Sequence, residues 1–445
     1  MASHTPPNDP TDPINHDDPE SQPIDPLLSF TKPARLTSVD LLRGLTVFSM
    51  ILVNTSNPGS FSFLQHTAWT GMTFADTIFP TFLFIVGVSI PLALNPERHL
   101  SGSDMRSWRT KTTRRILVRG LKLWCIGFVL LNLVPYIGMR WFVSPEEAFL
   151  RIPGVLQRIA VCYVVVALVH VQVLGREDGA VEEMRGISRQ IWCASMIVFP
   201  SGLLVVYLIL TYTLTGCTER DSFLDPPECS AEAYLDTIVF TRSHNYNLGA
   251  FDPEGTLSTL TSILTTYIGY FIGCDLRHYR RTAHDQHRLL TRLVYHLLFI
   301  ASALLLLAYF SSYLIPISKP LWTPSYVLAA GGISTIALSA CTYLSDVRGY
   351  AFSSRVVRLL IAYGRNPILI YVLAEGIIVL MDLAYLWGQR NVPGGDGNGK
   401  LGGHEPDTVG DFWMAVGNLV YSVAYTGVFA PLAWWLDHKG WYLRV

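Results

Sequence analysis

Apolar residues along this chain come in blocks of about 20, separated by short polar connections, and about 20 residues is the helix length that crosses a hydrocarbon core of roughly 30 Å. Ten blocks recur, at about 38–56, 72–94, 114–135, 153–174, 191–214, 257–276, 289–313, 324–345, 357–386 and 411–436. The first is short and holds Asp40 and Arg43. The pattern predicts an all-α, polytopic membrane protein with about ten transmembrane helices in one bundle, residues 37–445. Residues 1–36 read differently. Their run PPNDPTDPINHDDPESQPIDP replaces apolar periodicity with proline and aspartate, the composition of a disordered tail. The tail has neither the basic start nor the short apolar run of a cleavable signal peptide, so the first span is expected to do the targeting.

Composition agrees with the pattern. Half of the 445 residues are hydrophobic, 15% are charged, and mean hydropathy is positive at +0.33, which together exclude an ordinary soluble enzyme. A net charge of −1 points to no acidic or basic partner, and no stretch resembles a nucleic-acid-binding module. Lys and Arg are unevenly divided: the termini and the connections on their side hold 21, the opposite connections 7. By the positive-inside rule both termini and clusters such as RSWRTKTTRR lie in the cytosol, and His66 lies on the lumenal or extracellular side. Five of the seven cysteines fall in spans, as small buried hydrophobes. Cys217 and Cys229 share the long connection 215–256 on the non-cytosolic side, where a disulfide is expected, and no second Cys or His pair accompanies them as a zinc site would require.

Ionisable and amide groups inside otherwise apolar helices are costly, and each must face a partner or a watery cavity. Asp40 and Arg43, three apart on one helical face, are placed for an intrahelical ion pair or a cytosolic anchor. Arg114, Arg115, Arg119 and Lys122 form a basic strip entering the third span, the last two a turn or two deeper than snorkelling to headgroups explains. The segment RIPGVLQRIAVCY brings Gln157 and Arg158 into the fourth span; GRNPILIYVLAEG brings Arg365, Asn366 and Glu375 into the ninth, with a helix break at Asn366-Pro367. These cations are read as converging from the cytosolic side on a polyanionic ligand, with polar helix-to-helix contacts as the alternative. On the other side, Asn54 ends the first span and His66 follows in FLQHTAWTGMTFADTIFP. If the first two spans pair, Asn54 and Asp76 are both within reach of His66, and Asp76 is placed to fix the imidazole tautomer.

In order along the chain, SVDLLRGLTVFSMILVN, LQHTAWTGMTFADTIFPTFLFIVGVSIPLAL, RIPGVLQRIAVCY, FDPEGTLSTLTSILTTYIGY, LWTPSYVLAAGG and GRNPILIYVLAEG resemble the heparan-alpha-glucosaminide N-acetyltransferase family over about residues 36–440. The resemblance implies a transmembrane acetyltransferase that takes acetyl-CoA from the cytosol and delivers its acetyl group to the amine of a glucosamine-type sugar on the lumenal side of a lysosome- or vacuole-type membrane or at the plasma membrane. It implies catalytic roles for His66 and Asn54, and a homodimer. The segment between those two residues is one residue longer here than in the animal enzymes, and the connection CTERDSFLDPPECSAEAYLD replaces a glycine-rich counterpart. Joined to the charge pattern, it implies that Arg43, Arg114, Arg115, Arg119, Lys122, Arg158, Arg365 and Asn366 hold the donor's phosphates, with no metal. His66 is expected to act as general base or to carry the acetyl group itself, and Asn54 to support the oxyanion. A different class, a proton-coupled secondary transporter with His66, Asp76 and Glu375 as relay, would normally show paired broken helices, and Asn366-Pro367 has no twin five spans earlier.

Overall fold

The computed structural model describes residues 36–56, 59–94, 102–143, 148–174, 187–214, 229–281, 286–350, 354–390 and 408–443. The expected tail, apart from Leu36, and Cys217 lie outside them. The described residues are helical with no strand among them. Among the described residues nine helices are long and apolar enough to cross a membrane, and α6 (Ile187–Thr213), at the predicted fifth span, adds a shorter apolar stretch over Ile197–Thr213. This is the predicted all-α polytopic membrane protein.

The helices are α1 (Thr37–Asn54), α2 (Phe74–Ala93), α3 (Gly102–Ile126) running on through π-helical turns and α4 (Val134–Gly138) to Val143, α5 (Val155–Leu174), α6, a short α7 (Ala231–Val239), α8 (Thr256–Arg281), α9 (Gln286–Ser312) and α10 (Pro324–Thr342). Two predicted spans are each broken in two. The ninth is α11 (Arg355–Arg365) and α12 (Pro367–Arg390), parted at Asn366 as the Asn-Pro dipeptide requires. The last is α13 (Thr408–Val428) and α14 (Ala430–His438), parted at Phe429, just ahead of Pro431.

Lipid offers no hydrophobic drive between helices, so close packing and hydrogen bonds must hold the bundle together, and small residues permit it. A Cβ on Gly87 of α2 would lie 1.9 Å from the Thr266 carbonyl oxygen of α8, and one on Gly364 of α11 would lie 1.8 Å from the Asp40 carbonyl of α1. These two crossings are backbone against backbone. Around them Val47, Ile51, Leu83, Tyr270, Tyr326, Tyr363 and Ile370 form a continuous buried core. Proline inside α2 leaves a further mark. Pro80 has no N–H for the Asp76 carbonyl, and the Tyr326 hydroxyl of α10 donates to that carbonyl instead, at 2.6 Å.

Candidate active site

The loop before α2 ends in Thr73, and Asp76 at the third helical position receives the Thr73 amide at 3.1 Å, half of a capping box. Its side chain is fully buried, and Oδ2 takes three further donors: the Thr73 hydroxyl at 3.0 Å, the Thr67 hydroxyl at 2.9 Å and the Thr67 amide at 3.2 Å. That leaves Oδ1 facing out of the helix end, where His66 Nδ1 lies 2.8 Å away. The His66 side chain is half exposed, and the neutral tautomer that suits this carboxylate carries its proton on Nδ1 and leaves the lone pair on Nε2. One aspartate thus starts the helix, pins the loop and orients the ring.

A third group completes this cluster and was not legible in the sequence. Lys319, in the connection between α9 and α10, places Nζ 3.2 Å from Asp76 Oδ1, 2.9 Å from His66 Nδ1 and 3.4 Å from Nε2. Burial lowers its pKa, and the nearby Asp76 carboxylate only partly restores it. The connection is locked to the loop before α2 by the Gly71 amide, which donates to the Ile317 carbonyl at 2.8 Å. It is locked from below by Trp322, which holds a left-handed backbone (φ +49°) at a cost of about 1–2 kcal/mol. Its buried indole offsets this by donating to Thr265 at 3.1 Å and packing edge-on against Phe79 at 5.4 Å. A charged residue in a short loop looks solvated in a sequence; only the packing of Trp322 shows that it turns inward.

Two other motifs converge on the same end. In RIPGVLQR, Arg151 forks onto Asp252 (2.8 and 2.5 Å) and also reaches Glu254. Burial opposes these charges, yet pairing wins for both: Arg151 is raised by Glu254 and Asp252, and Glu254 is lowered by Arg151 ahead of Arg158 and Lys319. Asp236 of α7 takes the Thr256 and Asp252 amides, and burial pushes its pKa up. Trp69 packs edge-on against Phe251 at 5.6 Å, so FDPEGT lies beside HTAWTG.

The phosphate-binding set expected from the sequence is not one cluster. Arg158 is 2% exposed and belongs to the His66 end: it donates to the Pro253 carbonyl at 2.8 Å and to Ser258, and stacks on Trp322 at 5.0 Å. The reason is chain direction. Near the end of span three, Asn132 donates to the Arg151 and Pro153 carbonyls, so α5 starts at the end where span three finishes. Arg119 and Lys122 lie ten or more residues back along that span, at least about 15 Å away. Arg114, Arg115, Arg119 and Lys122 are exposed on α3, with Arg119 stacked on Tyr163 at 4.9 Å. Arg43, Arg365 and Asn366 are engaged by the protein itself. Arg43 pairs with Asp40 at 3.0 Å, as the spacing predicts, and with Ser89 at 2.8 Å; Arg365 pairs with Asp437 at 2.7 Å. Asn366 clasps the C-terminal segment through the Trp441 carbonyl and Leu443 amide, each at 2.9 Å. Asn54 donates to Glu375 at 2.6 Å rather than to His66. Cys229 is disulfide-bonded, and its expected partner Cys217 lies outside the described residues.

The family model described as heparan-alpha-glucosaminide N-acetyltransferase, catalytic, matches residues 35–210. The human heparan-alpha-glucosaminide N-acetyltransferase is 30% identical over 392 residues, covering 81% of this chain and 55% of the human protein. The mouse protein of the same name is 29% identical over 388 residues, covering 80% and 55%. The chain therefore spans about half the length of the curated relatives it matches. Six motifs in family order, a catalytic-region match that contains Asn54, His66 and Asp76, and this identity over four-fifths of the chain make it similar to the heparan-alpha-glucosaminide N-acetyltransferases.

Proposed function

We propose that this chain is a membrane-embedded N-acetyltransferase that moves the acetyl group of cytosolic acetyl-CoA to the amine of a glucosamine-type sugar on the lumenal or extracellular side, using His66 as its base. The observation that carries the reading is the His66–Asp76 pair, 2.8 Å apart at a helix end, on a histidine side chain that is half exposed. The relatives' names supply the reaction class.

In this mechanism the exposed cations of α3, Arg114, Arg115, Arg119 and Lys122, hold the donor's phosphates at the opposite end, and the pantetheine arm reaches along the bundle toward His66. Arg43, Arg365 and Asn366 border that end, with side chains already tied to Ser89, Asp437 and the C-terminal segment. The sugar amine attacks the thioester carbonyl and its proton passes to His66 Nε2. The carbon–sulfur bond breaks, and the same proton returns to the departing thiolate. Asp76 keeps the imidazole in the tautomer that accepts the proton and stabilises the imidazolium formed. Asn54, steadied by Glu375, has a second amide hydrogen to offer the developing oxyanion, a contact worth about 3 kcal/mol of barrier.

The experiment is acetyl transfer by the purified chain from labelled acetyl-CoA to a panel of amino sugars, read by mass spectrometry. Labelled N-acetyl product with the wild-type chain and none with folded His66→Ala supports the reading. Full transfer by His66→Ala removes the base assignment. Proton-coupled solute uptake into vesicles with no acetyl transfer favours a transporter.

A further inference from the structure

His66 Nδ1, Asp76 Oδ1 and Lys319 Nζ form a triangle with sides of 2.8, 3.2 and 2.9 Å. Nδ1 cannot serve both neighbours. If its proton is given to the carboxylate, it has no lone pair for the ammonium, so Lys319 donates to Oδ1 and rests against the ring, 3.4 Å from Nε2. Putting a proton on Nε2 would then set two cations at that separation in a half-buried site. A lone carboxylate on Nδ1 has the opposite effect: it favours the imidazolium and removes the base as pH falls.

We propose that Lys319 is a positioning residue whose ammonium counterbalances Asp76, keeping Nε2 of His66 free of a proton under acidic conditions. This rests on reading His66 as the base that meets the acceptor amine. The surrounding charges are compatible. Asp76 from α2 faces both groups. Glu254, ahead of α8, acts on Lys319 with attraction, and Arg158 of α5 acts on it with repulsion, while Arg151 and Asp252 are occupied with each other. Gly71 and Trp322 fix the loop on either side of Lys319, and the buried Asp76 carboxylate holds its ammonium at 3.2 Å.

The test uses diethyl pyrocarbonate, which reacts with an imidazole only in its uncharged form, on the purified protein from about pH 4.5 to about pH 8, with carbethoxylation read on the His66 peptide by mass spectrometry. In Lys319→Met the midpoint of modification should move to higher pH by about one unit, the size of shift that a neighbouring charge at this range produces. Lys319→Gln, which keeps a hydrogen-bond donor and stands in should the methionine variant not fold, should move it equally. Lys319→Arg, which keeps the charge, should return the midpoint to the wild-type position. The acid limb of kcat/KM for acetyl transfer should follow the same order. An unmoved midpoint in both neutral variants, or an arginine variant that shifts as they do, overturns the proposal. Because carbethoxylation needs no acetyl-CoA, this outcome is distinct from a failure to find acetyl transfer.

Discussion

Asp76→Asn is the substitution that separates most sharply what this site does from what merely holds it together. The side chain is fully buried and takes four donors from Thr67 and Thr73 on Oδ2, with His66 and Lys319 on Oδ1. An asparagine satisfies the threonine side only by placing its carbonyl oxygen there, and its NH2 then faces His66 Nδ1. The imidazole responds by moving its proton to Nε2, which takes away the lone pair that receives the amine's proton. Loss of the correct tautomer is worth on the order of 10⁴-fold in kcat in a hydrolase built on the same carboxylate–imidazole logic. A loss of 10³-fold or more is expected here. The stability cost is separate. Lys319 loses its only close carboxylate among the described residues, and charge-assisted bonds contribute about 1.5–3 kcal/mol each, so a loss of roughly 2–3 kcal/mol follows, softened by the residual exposure of Lys319. Steady-state acetyl transfer and thermal unfolding in detergent measure the two effects on one sample. A folded Asp76→Asn enzyme within tenfold of wild-type kcat would refute the tautomer argument, whatever its stability.

Four further outcomes follow from named contacts. Tyr326→Phe leaves the Asp76 carbonyl that Pro80 frees without a donor and should cost about 1–3 kcal/mol in unfolding, with a smaller effect on kcat. Gly364→Ala drives a methyl group into the Asp40 carbonyl and should cost about 3 kcal/mol, seen as a lower unfolding midpoint and lower yield. Arg115→Ala and Lys122→Ala should each raise KM for acetyl-CoA about tenfold, with kcat nearly unchanged, if these exposed cations hold its phosphates. Glu254, whose folded pKa lies below its ordinary value of 4.5, contributes stability that is fully present above that value and is lost as pH falls below it. Unfolding midpoints should therefore hold from neutral pH to about 5, and Glu254→Gln should lower them across that range.

Most of the fold was legible because a hydrocarbon solvent makes few demands and makes them strictly: helices of bilayer length, with breaks only where proline forces them, as at Asn366-Pro367. Asp40 with Arg43 and His66 with Asp76 were legible too, since helical spacing or short sequence separation limits where such pairs can go. Arg158 was misplaced because its residue type was weighed without the direction of its helix. α5 runs back from the His66 end, so a cation four residues into it cannot join a cluster at the other. Lys319, Arg151 and Glu254 were missed for a different reason. Each sits in a connection where a charge reads as solvated, and only long-range packing, across 253 residues between His66 and Lys319, turns it inward. Glu375 is legible in the sequence as a costly group in the ninth span, and its partner, the Asn54 amide, is not, because 321 residues separate the two.

The most direct measurement is acetyl transfer across a sealed membrane. The purified chain is placed in vesicles with radiolabelled acetyl-CoA on the face of the α3 cations and glucosamine on the face of His66. Labelled N-acetylglucosamine should accumulate on the His66 face, at a rate abolished by His66→Ala while the variant stays folded. Label recovered only on the donor face, or equal rates for both proteins, would contradict this.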